Sequence, residues 1–361
     1  MARDPFGQDL ESLRRGRDHD PSRAHAAGRG GARQPGEGRG GPGGPEPQPD
    51  AGLAGELGSA GPRDSVVKGR EPENGSARAV VRGDRHVRPS PNALQAPGAP
   101  AGPVVVKIGG RSLDGSWAPS ELAAEVASIA GPALLVHGGG GEVSEWCARL
   151  SIEPSFIEGL RVTDPETLEV AVAVLAGLAN KRLVAVLREA GVDAVGLSAL
   201  DGGIAEVALH PDAGRLGAVG RVDRVRPGLL EVLIGQGRVP VLASIGACRG
   251  RLLNINADEL AAPLSAGVKA RALVLLSDTH GLRLGGDLVR RLTSAEVGAA
   301  LASPDVQGGM LPKLRAAAQA IANGVASVHI GAWSGPGTLH RLLAGEAGTT
   351  IVPEEATVTR G

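Results

Sequence analysis

The sequence predicts an α/β protein of three layers, in which helices cover both faces of a mainly parallel open sheet. From residue 103 onward, short runs of Val, Leu, Ile and Ala alternate with helical segments. Most of these runs are continuously apolar, which is typical of strands buried on both faces. Buried strands that alternate with helices indicate parallel strands joined by crossover helices.

The predicted elements follow one another along the chain from Val104. The longest helix begins at Thr163–Glu166, where Thr163 or Asp164 is the cap and Pro165 lies in the first turn, and it ends at Gly191. The predicted strands are 104–108, 133–136, 194–197, 204–209, 218–225, 239–245, 272–277, 327–330 and 349–352, and the other predicted helices are 118–129, 143–150, 228–236, 258–267 and 308–323. Pro263 falls inside one of these helices, where we expect a kink or an early end.

Residues 1–100 have a different composition from the rest of the chain. They contain 19 glycines and 13 prolines, but only 12 residues of the set Val, Leu, Ile, Met, Phe and Trp. So few large apolar side chains cannot offset the entropy lost when a backbone becomes ordered. We therefore expect 1–102 to be a disordered low-complexity extension, followed by one folded domain at 103–356.

The overall composition excludes several classes of function. A net charge of −1 argues against a nucleic-acid or membrane-surface binder, and only five aromatic residues are available for base stacking. Cys147 and Cys248 form no zinc-binding or disulfide pattern, and no metal site is expected. No secretory signal and no uncharged apolar run of about 18 residues is present. We expect a cytoplasmic protein with no membrane and no nucleic-acid partner.

Glycine loops follow the first two predicted strands. Gly109 and Gly110 end the first, and Gly138–Gly141 end the second. In an open α/β sheet, ligands bind outside the carboxyl ends of the strands, and glycine lets backbone N–H groups approach an anion closely. Ordinary strand-to-helix turns are the alternative for either loop alone. The chain lacks GxxxxGK[ST], so a Walker-type phosphate loop is excluded.

Three charged residues are candidates for chemistry at this edge of the sheet. Lys107 interrupts a strand that should be buried, where an unpaired ammonium group is costly. It could hold the charge of a phosphoryl group, or it could be a lysine that reaches solvent from an edge strand. Lys313 follows a second glycine turn. Asp258 could orient either lysine, or it could be a helix N-cap.

Several motifs together carry a family resemblance. In chain order they are Lys107-Ile-Gly-Gly110, His137-Gly-Gly-Gly140, Gly159-Leu-Arg-Val-Thr-Asp164, Asn254-Ile-Asn-Ala-Asp258 and Gly308-Gly-Met-Leu-Pro-Lys313. In this order they resemble the amino acid kinase family, and within it the acetylglutamate kinases. Shorter segments agree with the resemblance, including Ala179-Asn-Lys181 and Leu276-Ser-Asp278. The resemblance covers about residues 103–353, and implies an acyl-amino-acid half at about 103–245 and an ATP half at about 246–356.

The resemblance implies ATP-dependent phosphorylation of the side-chain carboxylate of N-acetyl-L-glutamate, the second step of arginine biosynthesis, with Mg²⁺ carried by the ATP phosphates. A carboxylate is already ionised at neutral pH, so no general base is needed. The implied roles are as follows: catalysis by Lys107, Lys313 and Asp258; substrate binding by Gly138, Gly139, Arg161 and Asn254; ATP binding by Gly109, Gly110, Ser277, Asp278, Thr279, Gly281, Leu282 and Gly309. His137 is expected to have a structural role, with a ring nitrogen bonded to the backbone.

Two other functions remain open at this point. One is a kinase of the same family that acts on aminoadipate or glutamate linked to a carrier protein in lysine biosynthesis. The other is a non-catalytic amino-acid sensor of the same fold, although such a protein should have lost Lys107, Lys313 or Asp258. The resemblance implies a homodimer, because the proline-rich segment 90–100 does not suit the N-terminal helix that links dimers into hexamers.

Overall fold

The computed structural model describes residues 102–109 and 119–354. Residues 1–101 of the predicted extension lie outside the described residues, and so does Gly110.

An eight-stranded sheet forms the centre of the protein. In spatial order its strands are β14 (Arg291–Thr293), β16 (Thr349–Val352), β15 (Val328–Ala332), β11 (Ala272–Ser277), β1 (Val104–Ile108), β2 (Ala133–His137), β8 (Val239–Ala243) and β5 (Ala194–Ser198). All neighbouring pairs are parallel except β15 with β16. The prediction of a mainly parallel open sheet is confirmed.

Helices cover both faces of this sheet. The described helices are α1 (Pro119–Ser128), α2 (Gly140–Arg149), α3 (Pro165–Val172), α4 (Asn180–Glu189), α5 (Ala213–Leu216), α6 (Gly228–Gly235), α7 (Ala257–Gly267), α8 (Ser294–Leu301), α9 (Met310–Ala322) and α10 (Thr338–Leu343). Along β1, Val105 packs in a core with α7 and α9, whereas Val104 and Val106 pack in a core with α1, α4 and α10. Successive side chains of a strand point to opposite faces, so β1 joins the two cores of a three-layer structure.

A second sheet lies apart from the main one and was not expected. Its order is β6 (Ala205–Leu209), β7 (Val219–Val225), β10 (Arg251–Ile255) and β9 (Ile245–Cys248), and only β7 with β10 is parallel. Strands predicted at 204–209 and 218–225 are therefore present, but they lie outside the parallel sheet. Buried and exposed residues alternate over Gly220–Asp223 of β7, which is typical of a sheet with one face exposed to solvent. Two short hairpins complete the described strands: β3 (Phe156–Ile157) with β4 (Leu160–Arg161), and β12 (Arg283–Leu284) with β13 (Asp287–Leu288).

The longest helix, Pro165–Glu189, contains a π-helical segment at Ala173–Ala179 between α3 and α4. Asp164 is its cap, since Asp164 Oδ1 accepts a hydrogen bond of 2.7 Å from Thr167 N. Among the described residues, this is the one helix long and apolar enough to cross a membrane by length and composition alone. The apolar side chains of α3 and of the π-helical segment pack in a core with α2, those of α4 pack in the core with α1, and 44% of the helix's most apolar stretch is buried.

Helix α7 continues through Pro263 to Gly267, so the proline does not end it. A proline in this position leaves the carbonyl of Glu259 without its helical donor. Because the helix stays continuous, its first turn still presents Asp258 to the main sheet.

A buried histidine in this fold gives a pH-dependent stability. His329 of β15 is hydrogen-bonded to Ser327 Oγ (2.9 Å) and Thr350 Oγ1 (3.1 Å), and burial lowers the pKa of His329 to about 4. The unfolded chain binds a proton near pH 6.5, so the native state loses stability as the pH falls from about 6.5 to 4. We expect this one group to reduce the free energy of unfolding by about 3 kcal/mol across that window.

Replacing His329→Gln should make this part of the pH profile less steep, measured by urea unfolding at a series of pH values; burial also lowers the pKa of His137 to about 4, and that group supplies the slope that remains. His340→Gln, at an exposed position of α10, is the matched control and should leave the profile unchanged. An identical slope in the wild type and the His329 variant would show that His329 is not the group responsible.

Candidate active site

Three charged side chains from three elements meet at the carboxyl end of β1. Lys107 Nζ lies 2.7 Å from Asp258 Oδ1, and Lys313 Nζ lies 3.3 Å from Asp258 Oδ2. We call this group the lysine–aspartate cluster. Its side chains are 6%, 4% and 11% exposed for Lys107, Asp258 and Lys313. The sequence motifs that hold these residues are more than 50 residues apart along the chain, and the fold brings them into contact.

The sequence explains how each member reaches the cluster. Lys107 has the same strand parity as Val105, so it points to the face of the sheet that α7 covers. Asp258 lies in the first turn of α7, where Asn256 Oδ1 accepts hydrogen bonds from the N–H groups of Asp258 (2.9 Å) and Glu259 (3.3 Å). Asn256 is therefore the N-cap, and Asp258 is free to bind the lysines.

Burial and charge act in opposite directions in this cluster. Burial lowers the pKa of Lys107, while the neighbouring Asp258 carboxylate acts to raise it. Burial acts to raise the pKa of Asp258, but Lys107 and Lys313 outweigh burial and hold it below its usual value. One ionised carboxylate thus lies between two ammonium groups, which leaves an excess of positive charge suited to an anion.

A first cavity of about 190 Å³ opens beside Lys107 and Asp258. All four residues predicted to bind substrate line it: Gly138, Gly139, Arg161 and Asn254. The residues that line this cavity come from both predicted halves of the domain. The substrate-binding roles of the four residues stay predictions, but the structure brings these residues to one place.

Arg161 has one buried nitrogen without a partner. Its Nη2 donates to Gly140 O (2.6 Å) and to Ser144 Oγ (2.7 Å), and its guanidinium lies 4.7 Å from the Phe156 ring centroid. Among the described residues, no acceptor lies within hydrogen-bond distance of Arg161 Nη1. A buried donor of this kind is costly when unsatisfied, so an acidic ligand in the cavity would be stabilised here.

The glycine loop, Gly138–Gly141, leads from β2 into α2. Gly139 adopts φ 156°, and a Cβ there would lie 2.8 Å from Leu175 Cδ2. The first N–H groups of a helix have no acceptor within the helix, and α2 has no side-chain cap. These groups can bind an anion. The N–H group of Gly138 already has a partner, because it donates to Ile108 O at 3.3 Å.

Gly109 is closely packed at the end of β1. A Cβ at this position would lie 2.7 Å from Leu276 O and 3.6 Å from Lys107 Nζ. Any larger residue would therefore push β1 away from β11. Its predicted partner Gly110 lies outside the described residues.

A second cavity, of about 440 Å³, lies at the carboxyl end of β11. Six residues predicted to bind ATP, from the end of β11 onward, line it: Ser277, Asp278, Thr279, Gly281, Leu282 and Gly309. The Leu282 N–H donates to Thr349 Oγ1 at 2.8 Å, and the Leu282 side chain is buried, which anchors this loop to β16. At Gly281 a Cβ would lie 2.7 Å from the same hydroxyl, so the position requires glycine.

The lysine–aspartate cluster lies between the two cavities. Lys107 and Asp258 line the first cavity, and Lys313 Nζ donates to the carbonyl of Gly309, which lines the second, at 3.1 Å. A group that passes from one cavity to the other would therefore meet both ammonium groups.

Several lining residues were missed by the sequence analysis. Ser244, Asn256 and Phe156 line the first cavity, and His280, Arg283, Asp305, Gln307 and Met310 line the second. Ser244 follows an apolar strand and Asn256 begins a helix, so both had an ordinary structural explanation in the sequence. Phe156 belongs to a two-residue strand, which is too short for a periodic signal. In the part of the chain that the structure describes, no group of three or more His, Cys, Asp or Glu is arranged to hold a metal ion.

Comparison with known proteins places this site in a family. A model described as the Amino acid kinase family matches residues 102–332. The chain belongs to the amino acid kinase family. The acetylglutamate kinase of Methanopyrus kandleri is 43% identical over 251 residues, which are 66% of this chain and 99% of that protein. The acetylglutamate kinase of Solibacter usitatus is 40% identical over 256 residues, 69% of this chain and 98% of that protein.

Solved structures agree with this amino acid kinase fold. A protein of Streptococcus mutans is 28% identical with a TM-score of 0.59, over 69% of this chain and 98% of that chain. N-acetylglutamate synthase from Neisseria gonorrhoeae, complexed with coenzyme A and N-acetyl-glutamate, is 23% identical with a TM-score of 0.62, over 75% of this chain and 63% of that chain. At that identity the second likeness shows the fold alone.

The lysine–aspartate cluster yields a test of its electrostatics. Replacing Asp258→Asn would leave two buried ammonium groups without their carboxylate, and should lower the free energy of unfolding by about 3–5 kcal/mol at pH 7. The unfolded chain of this variant binds protons more readily than the folded one, so its stability should rise with pH.

Urea unfolding between pH 7 and 10 would measure both effects. Asp287→Asn, at an exposed position of β13, is the matched control and should change the stability by no more than about 0.5 kcal/mol. An Asp258 variant whose deficit does not shrink at high pH would contradict this account of the cluster.

Proposed function

We propose that this protein is an acetylglutamate kinase. It transfers the γ-phosphoryl group of ATP to the side-chain carboxylate of N-acetyl-L-glutamate, giving N-acetyl-glutamyl 5-phosphate in arginine biosynthesis. The observation that carries the proposal is the lysine–aspartate cluster between two cavities. The chain also aligns over 98–99% of the length of two relatives with that name.

In this proposal the first cavity binds N-acetyl-L-glutamate. The unpartnered Arg161 Nη1 binds the α-carboxylate, while Arg161 Nη2 stays fixed by Gly140 and Ser144. Asn254 Nδ2 donates to Thr163 Oγ1 at 3.2 Å, which leaves Asn254 Oδ1 to accept from the substrate amide. Gly138 and Gly139 form the wall beside the reacting carboxylate.

The second cavity binds ATP, at Ser277, Asp278, Thr279, Gly281, Leu282 and Gly309. Its volume is more than twice that of the first cavity, in keeping with the larger substrate. We propose that Mg²⁺ enters bound to the ATP phosphates and that backbone N–H groups of Gly109, Gly110 and Gly139 bind phosphate oxygens.

Catalysis then consists of positioning and charge neutralisation. Two anions must approach in line, and the developing charge on the transferred group must be stabilised. Lys107 and Lys313 supply positive charge from two sides, and Asp258 holds both ammonium groups in place. The acceptor carboxylate is ionised at neutral pH, so the site needs no general base.

The two alternatives have less support. A non-catalytic sensor has no need of a buried and a largely buried lysine on one carboxylate, which cost stability. For a carrier-linked amino acid the support is weaker because the relatives that match the chain at 40–43% identity are acetylglutamate kinases. We further propose a cytoplasmic homodimer, which light scattering of the purified protein would test against the monomer mass of 36.3 kDa.

The activity can be tested by trapping the acyl phosphate with hydroxylamine. We expect hydroxamate formation that requires both ATP and N-acetyl-L-glutamate. Lys313→Ala should lower kcat by at least about 100-fold, the usual loss when a charge-stabilising group is removed. Arg315→Ala, at an exposed position on the same helix, is the matched control and should stay within about 3-fold of the wild type.

Two results would contradict the proposal. One is hydroxamate formation from a carrier-linked amino acid with none from N-acetyl-L-glutamate. The other is a Lys313→Ala variant with unchanged turnover, which would refute the role given to the cluster.

A further inference from the structure

We propose that Asn180 is a positioning residue for phosphoryl transfer, because it sets the tautomer of His137 and thereby fixes the glycine loop. This inference rests on the proposed function, and it concerns a residue that contacts neither cavity. Asn180 and His137 are both fully buried, at 0% exposure, and neither side chain takes part in the lysine–aspartate cluster.

Asn180 is held by the main sheet at the start of α4. Its Nδ2 lies 2.9 Å from Val241 O on β8 and 3.3 Å from Leu197 O on β5. Both carbonyl oxygens accept hydrogen bonds, so they fix the orientation of the amide with its nitrogen toward the sheet. Lys181 Nζ donates to the other end, Asn180 Oδ1, at 3.0 Å, which agrees with that orientation.

This orientation determines which nitrogen of His137 carries the proton. His137 Nε2 lies 3.0 Å from Asn180 Nδ2, which can only donate; its two hydrogens serve Val241 O and His137 Nε2, and Leu197 O at 3.3 Å shares one of them. His137 Nε2 must therefore be the unprotonated acceptor. Since burial lowers the pKa of His137 to about 4, the ring is neutral near pH 7 and its single proton lies on Nδ1.

The Nδ1 proton in turn fixes the glycine loop. His137 Nδ1 lies 2.9 Å from Gly138 O and donates to it. The Gly138 N–H donates to Ile108 O, so both peptide groups of Gly138 are held. The next residue, Gly139, lines the first cavity and begins α2. With the opposite tautomer, the lone pair of His137 Nδ1 would face the lone pairs of Gly138 O, and the loop would move.

Gly196 on β5 offers a second, independent way to disturb Asn180. A Cβ at Gly196 would collide with Asn180 Oδ1 and would lie 2.8 Å from Lys181 Nζ. Gly196→Ala therefore displaces the amide without changing Asn180 or His137.

The first measurement needs no variant. In ¹⁵N NMR spectra of the wild-type protein near pH 7, His137 should show a protonated Nδ1 and an unprotonated Nε2. The assignment follows from the signals that are lost in His137→Gln. A wild-type His137 with the proton on Nε2 would overturn the proposal whether or not the protein is an acetylglutamate kinase.

The second measurement is steady-state kinetics. Asn180→Leu keeps the approximate volume but removes the donor, and it should lower kcat by about 10- to 100-fold, the scale of a misplaced group far from the reacting atoms. The KM for ATP should stay within about 3-fold, because the second cavity is unchanged. Gly196→Ala should change kcat in the same direction and should also mix the tautomers of His137.

His329→Gln is the matched control, because His329 is also buried and hydrogen-bonded but lines neither cavity. It should lose stability while kcat stays within about 2-fold of the wild type. If Asn180→Leu or Gly196→Ala folds and keeps full kcat, the proposal is wrong. If the wild type lacks kinase activity, the proposed function fails, and the NMR result still decides whether Asn180 sets the tautomer.

Discussion

The buried ion cluster of Lys107, Asp258 and Lys313 constrains the arrangement of the whole domain. Two ammonium groups and a carboxylate lose most of their hydration here, and their mutual attraction offsets that cost only when the geometry is good. The geometry requires β1, the first turn of α7 and the first turn of α9 to meet at one point. An apolar set of similar size would be at least as stable. Anion binding therefore explains the excess of positive charge better than a contribution to stability does.

The close packing of loop backbone against neighbouring elements is the second constraint at this edge of the sheet. Gly109, Gly139 and Gly281 lie at three separate loops, and each has a neighbour that a Cβ would contact at 2.7–2.8 Å. The loops therefore pack closely against β11, the long helix and β16. Main-chain N–H groups at such loops can surround an anion in a way that side chains cannot. The many glycines of the folded domain serve this local purpose at a few positions only.

Much of the main sheet could be predicted from the sequence, because continuous apolar runs and the glycines that follow them are local signals of strands and strand ends. Lys107 was detectable for the same reason, as a charge inside an apolar strand. Strands β6 and β7 were also predicted, but a local pattern does not show which strands pair, so the separate second sheet was not recognised. The roles of Asn180 and Arg161 depend on partners 17 to 61 residues away, which no local pattern contains. Gly110 and residues 1–101 lie outside the described residues, so their predictions stay untested.

The π-helical segment at Ala173–Ala179 has a consequence for changes in chain length. A π turn holds an extra residue compared with an α turn, so this segment absorbs one residue locally, and α3 and α4 keep the rotational register of a continuous α-helix one residue shorter. Conversion of the segment to a regular α-helix without loss of a residue would rotate everything beyond it by about 100°. Asn180 would then leave the sheet, while Leu183 and Leu187 would leave the core. In evolution, this buried segment should therefore accept the loss of one residue more readily than the gain of another.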